Sequence, residues 1–330
     1  MTINTANSAG LKGSMELGTR VYIAQGTVIR GGEEPGSLSL GNHTWALENS
    51  VLVGSKEMPT TVGSKTVFGH KCVVLNSTIG HLCEVGNGTI FMPGSKVGNY
   101  CIFGEGTLVP EGMEIPEKSV VVGRPARVLR KLTGEDEKRI KQMRGGDITL
   151  SPFEGTRIEE KLKEEGDMGK TYEIQGKQPV IGKNSYLAPG AEINGDVIIG
   201  DNTVIADGVR IIGNSHGPVR IGNHVQILEN CVLHLLPDNQ LIIEDRVVVG
   251  PGSIIHGTTL KEGTIVESGS NVCDYSELGS NCLVKAGTLI KQRSKFEDDS
   301  IIEGFPGKTV GKLQIKQPHP PWAYPKEARK

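Results

Sequence analysis

Residues 66–113 read TVFGHK CVVLNS TIGHLC EVGNGT IFMPGS KVGNYC IFGEGT LVPEGM, consecutive hexads in which an apolar residue keeps returning at one position in six. Gly, Asn or Asp usually follows close behind it. The pattern reaches back to Leu38 through LSLGNH, TWALEN and SVLVGS, with a short insertion between. It resumes at Pro179 (PVIGKN, SYLAPG, AEINGD, VIIGDN, TVIADG) and, past two further insertions, runs through VVVGPG, SIIHGT and TLKEGT to LVKAGT. One apolar side chain per hexad points into a narrow core while its neighbours alternate outward. The Gly, Asn and Asp positions tolerate φ > 0, so the chain can turn sharply every six residues. A helix would need apolar residues three and four apart, a spacing these segments do not sustain. The pattern predicts an all-β chain of two tandem parallel β-helices built from hexapeptide repeats.

Composition agrees. The chain has 330 residues, enough for two domains that each bury a core. Its 45 glycines and 4% aromatics, with abundant Val, Ile and Leu, suit many short strands joined by tight turns. A net charge of −2 gives no electrostatic reason to expect nucleic acid or an anionic membrane as partner. Six cysteines (Cys72, Cys83, Cys101, Cys231, Cys273, Cys282) form no C-x-x-C pair and read as buried free thiols in a reducing compartment. The opening MTINTANSAG lacks a basic region followed by an apolar run, and no stretch approaches the ~18 apolar residues of a membrane span. A soluble, cytoplasmic protein is expected.

Between the repeats, GEDEKRIKQMRGG and GTRIEEKLKEEGD are charged and lack the hexad. They suggest one short amphipathic helix and then a linker. The expected division is a first prism with its helix over residues 1–145, a linker over 146–172, and a second prism with a C-terminal arm over 173–330. The ends, MTINTANSAG and QPHPPWAYPKEARK, read as peripheral arms.

The two halves align. GNHTWALENSVLV (residues 41–53) lies over GNHVQILENCVLH (residues 222–234) at an offset of 181, and VFGHKCVVLNSTI lies over VVGPGSIIHGTTL at the same offset. A constant offset across two segments points to duplication. The histidines are complementary: His234 and His256 face Val53 and Leu75, while His70 faces Pro251.

These segments resemble the γ-class carbonic anhydrase family. The similarity lies in VIRGGEE (Arg30, Glu33, Glu34), ILENCVLH ending at His234, FGHKCVVLN with His70, and GPGSIIHG with His256. The closing VVVGRPARVLRKL (residues 120–132) and, more loosely, IIEGFPGKTVGKL also match. The resemblance implies left-handed β-helices. It also implies three histidines on one Zn²⁺ or Fe²⁺ at a seam between prisms, two from one prism and one from its neighbour. Carried over, His234 and His256 are the pair and His70 is the neighbour's ligand, so a complete site falls between unlike prisms. Their spacing of 22 residues, one coil plus an inserted loop, lets His234 and His256 stack on one face. Three neutral imidazoles with an open position make a catalytic zinc site, whose bound water has a pKa near ~7 and whose hydroxide would hydrate CO₂ to bicarbonate. Arg30 has two readings, a bicarbonate anchor or a salt bridge at the seam. His216, in GNSHGP, is either a proton shuttle or a loop histidine without a role. Family prisms assemble in threes, which implies a homo-oligomer with a trimeric arrangement of prisms.

The chain also departs from the family. The Gln that contacts the metal-bound water is Leu47 in one copy and Leu228 in the other, and the adjacent Asp is Glu48 or Glu229. The Arg position is expected at Gly213 in the second copy, and the Asp two residues on is Gly32 or Ser215. His43, His81, His224 and His319 read as turn or surface residues. Two rival readings stand beside the anhydrase. One is a non-catalytic assembly protein of the same fold. The other is a hexapeptide acyltransferase, with a catalytic His and a CoA cleft between prisms. The closing motif occurs in both enzyme families, and the histidine pair with Arg30 favours the anhydrase.

Overall fold

Each hexad becomes a strand of two or three residues and a turn, and successive coils stack strand upon strand in parallel. The computed structural model describes residues 3–160, 168–213 and 217–325. Two units emerge, Met1–Glu164 and Glu165–Lys330, divided within the stretch expected as a linker. In the first, Phe68, Val74, Ile79, Val85, Phe91, Val97, Phe103, Val109 and Ile115 are all 5% exposed or less and fill the interior. Phe91 sits edge-on to Phe103, ring centroids 5.0 Å apart, and to Phe68 at 6.5 Å. The inward positions step by six, except from Val74 to Ile79, which takes five. The second unit repeats that short step from Ile255 to Leu260. His43 and His224 hold matched left-handed turn positions at φ 58° and 57°.

Among the described residues the first unit has an eight-stranded sheet and a twelve-stranded one, eleven of whose strands form a continuous path. The path turns through the long strand Gly10–Gly18, which pairs in parallel with Val28–Arg30 and with Leu38–Leu40. The second unit has two seven-stranded sheets and one of eight strands. Each unit closes with an antiparallel hairpin, Ser119–Val122 with Arg127–Lys131 and Ser300–Gly304 with Gly307–Lys312. These hairpins are the segments read as closing motifs. Each unit is an all-β parallel solenoid, and the described residues hold one short helix, consistent with the expected left-handed β-helix.

That helix, α1, spans Gly134–Met143 behind a Thr133/Asp136 capping box and buries Ile140. Arg144, just past it, forms an ion pair with Glu84, and its Nε donates to the Lys65 carbonyl at 3.1 Å. Lys65 in turn reaches the Asp147 carboxylate at 2.9 Å. The charged stretch that lacks the hexad thus docks through ion pairs.

Three terminal and linker expectations need correction. Asn4–Thr5 pairs in parallel with Tyr22–Ile23, so the N-terminal stretch is part of the first coil and not an arm. Inside the expected linker, Gly155–Glu160 pairs antiparallel with Gly13–Gly18, and Lys170–Tyr172 pairs with Glu192–Asn194. The C-terminal stretch is docked: Trp322, Ala323 and Tyr324 are buried. The Gln226 amide clasps the Tyr324 backbone, accepting its N–H at 2.9 Å and donating to its carbonyl at 3.0 Å. Gln226 lies on a ladder between Val204 and Val248, an outward apolar column that gains by being covered.

Candidate metal and substrate site

In the second unit Val232–Leu233 pairs with Ile254–Ile255, placing the residues that follow, His234 and His256, one above the other. The His234 N–H donates to the Ile255 carbonyl at 3.0 Å, which keeps the ladder in register up to the histidines. Their rings meet edge to face, centroids 5.7 Å apart and planes at 84°. The extra residues of this coil loop out after His234, so the insertion lengthens a corner and leaves the stack intact.

One buried carboxylate organises the neighbourhood. Asp274 Oδ1 accepts from the Leu236 N–H at 3.1 Å, Asn239 Nδ2 at 3.2 Å and the Gly257 N–H at 3.2 Å. Its Oδ2 lies 3.1 Å from His256 Nδ1. The Asn239 amide also donates to the Gly257 carbonyl at 2.8 Å, and a Cβ on Gly257 would stand 2.2 Å from that amide. A side chain there would push the Asn239 amide off its acceptors. A carboxylate on one ring nitrogen leaves the other to face a ligand, as in histidine–metal sites generally. Sequence reasoning missed Asp274. Its one signal was a spacing of 18 residues, one coil, from His256.

The first unit builds the equivalent column differently. Arg30 pairs with Val53 and Val53 with Leu75, and both aliphatics are fully packed. Arg30 is buried at the strand end. His70 lies elsewhere, half-exposed, with Nδ1 2.8 Å from Glu48 Oε2 and its N–H on Asn87 Oδ1 at 2.7 Å. It follows Val67–Phe68 of the eight-stranded sheet, whereas Leu75 ends Val73–Leu75 of the other. Positions five apart therefore flank a turn and look out from different faces. The same holds for Pro251 and His256. Among the described residues no three His, Cys, Asp or Glu side chains converge to hold a metal. His234 and His256 fit as two imidazole donors, the class that suits Zn²⁺ or Fe²⁺, and a third must come from another face.

His216 lies outside the described residues. The second-copy Arg position is corrected by one: Ile211 pairs with Leu233, so Ile212, not Gly213, precedes His234 by one coil. Nearby Arg210 is engaged with Glu192 at 3.2 Å and the Gly190 carbonyl at 2.7 Å. Leu228 and Glu229 are fully buried. Burial pushes the Cys231 thiol up to about 12, leaving it inert at neutral pH.

Residues 178–213 match the family model for bacterial transferase hexapeptide (six repeats). Over 142 residues it is 36% identical to a carbonic anhydrase of Geobacillus kaustophilus, spanning 43% of this chain and 78% of that one. Over 163 residues it is 29% identical to the mitochondrial gamma carbonic anhydrase 2 of Arabidopsis thaliana, spanning 48% of this chain and 57% of that one. A solved hexapeptide transferase family protein from Anaplasma phagocytophilum is 26% identical, covers 44% of this chain and 85% of that one, and superposes with a TM-score of 0.42. The chain belongs to the γ-carbonic-anhydrase-like family of hexapeptide-repeat proteins.

Proposed function

We propose that the protein is a γ-class carbonic anhydrase relative acting on CO₂ and bicarbonate, with Zn²⁺ or Fe²⁺ held by His234, His256 and a third imidazole, His70 of another prism. The observation that carries this reading is the stacked His234–His256 pair with a buried carboxylate behind His256. When bound, the ion supplies Lewis acidity that lowers the pKa of water to about 7. His234 and His256 hold their rings by ladder register and by Asp274. Arg30 supplies a guanidinium suited to a carboxylate-like anion, and His216 is a candidate proton carrier. The arrangement calls for a homo-oligomer in which prisms meet in threes. The six free cysteines, five of them buried, fit a cytoplasmic setting. No helix among the described residues is long and apolar enough to cross a membrane.

A second reading, an assembly subunit without turnover, is favoured by Leu47 and Leu228, where the family's water-orienting amide is missing. Elemental analysis of the purified protein with stopped-flow CO₂ hydration separates the two. Stoichiometric metal and turnover, both abolished in His256→Ala and His70→Ala, support the anhydrase. Metal without turnover supports the assembly reading. Well under a tenth of an ion per chain, after growth with added zinc, ends the composite site.

A further inference from the structure

We propose that Asp274 is the positioning residue of this site, selecting the tautomer and direction of the His256 ring. The proposal deepens the metal reading and depends on it only for what the freed nitrogen is used for.

The carboxylate's two oxygens have different duties. Among the described residues Oδ1 meets three donors: Leu236 N–H, Asn239 Nδ2 and Gly257 N–H. It closes the loop that begins after His234. Oδ2 meets His256 Nδ1. Three donors on Oδ1 mark this group as an acceptor, so the geometry assigns the proton of the Oδ2 contact to Nδ1 and leaves the lone pair on Nε2. Asp274 is only 3% exposed, so its own oxygens are held away from bulk solvent. One group thus ties the loop, the glycine and the imidazole together.

This asymmetry makes the obvious isostere informative. In Asp274→Asn the three donors around Oδ1 demand the amide oxygen at that position. The NH₂ must then take the place of Oδ2 and donate to His256 Nδ1. The loop keeps its three hydrogen bonds, but the ring is forced to carry its proton on Nε2. The variant is expected to fold like the parent and present the wrong nitrogen.

The test uses full-length protein labelled with ¹⁵N-histidine, stripped with a chelator and held at a mildly alkaline pH where imidazole is neutral. Nitrogen–proton couplings report which ring nitrogen is protonated. The expected result is Nδ1–H for His256 in the parent and Nε2–H in Asp274→Asn, with closely similar thermal melting. Zinc titration then gives an affinity about 10–100-fold weaker in the variant, the range for lost outer-shell support of a ligand histidine. Identical tautomers in the two proteins, or a variant binding zinc as tightly as the parent, would overturn the proposal. If the tautomer switches while neither protein binds zinc, Asp274 keeps its orienting role and the metal reading falls alone. Asp274→Ala serves as the control, since it loses loop and ring contacts together and should melt lower.

Discussion

His70 and His256 both lean on a carboxylate, but the two contacts differ in strength because they differ in burial. The Glu48 and His70 side chains are 42% and 52% exposed, whereas the Asp274 side chain is 4% exposed. Exposed pairs contribute little. Glu48→Gln is therefore expected to change unfolding free energy by less than about 0.5 kcal/mol. Asp274→Ala strands the Leu236 and Gly257 amides and is expected to cost about 1–3 kcal/mol. Urea melts of the two variants measure both. The histidines were legible because they stand in motifs with recognisable neighbours. Asp274 was not, since an Asp in a hexad such as NVCDYS reads as one more turn former. Only coil stacking turns a distance of 18 residues into contact.

At the scale of elements, α1 and the residues after it bind the first unit through a pair with an unusual pH dependence. Burial lifts Glu84 from 4.5 to about 7 in spite of Arg144 beside it. A folded-state value above the unfolded one means stability fully present below about pH 4.5 and lost as pH rises through about 7. The loss is at most about 3 kcal/mol. Unfolding free energies measured between pH 5 and 8 should fall in the parent and stay flatter in Glu84→Gln. The interior makes a plainer prediction: Phe91→Ala, which removes a ring wedged between Phe68 and Phe103, is expected to cost about 3–5 kcal/mol in denaturant melts. Dividing the sequence into sixes found the coils but hid the five-residue step at Val74–Ile79 and Ile255–Leu260. A turn one residue shorter leaves the hydrophobic count nearly unchanged. The strand Gly155–Glu160 was equally hidden, because GTRIEE has no hexad and pairs antiparallel with a distant segment.

For the whole molecule, the duplication was legible from one offset held across two segments, and so was the class of fold. Contacts made by the chain ends were not. Pro-rich QPHPPWAY reads as a loose tail, yet it supplies a backbone edge that satisfies the buried Gln226 amide. Removing residues 317–330 should lower the melting temperature by several degrees and raise binding of a hydrophobic dye, as seen by scanning fluorimetry, because Gln226 loses its partners and its apolar neighbours meet water. The division of histidines between the two units has an arithmetic consequence. One polypeptide always delivers one His70 for one His234–His256 couple, so translation itself fixes the ratio and neither kind of prism can be made in excess. However many chains gather, and in whatever geometry, complete three-histidine sets cannot outnumber chains, and a titration should saturate at or below a single ion per polypeptide.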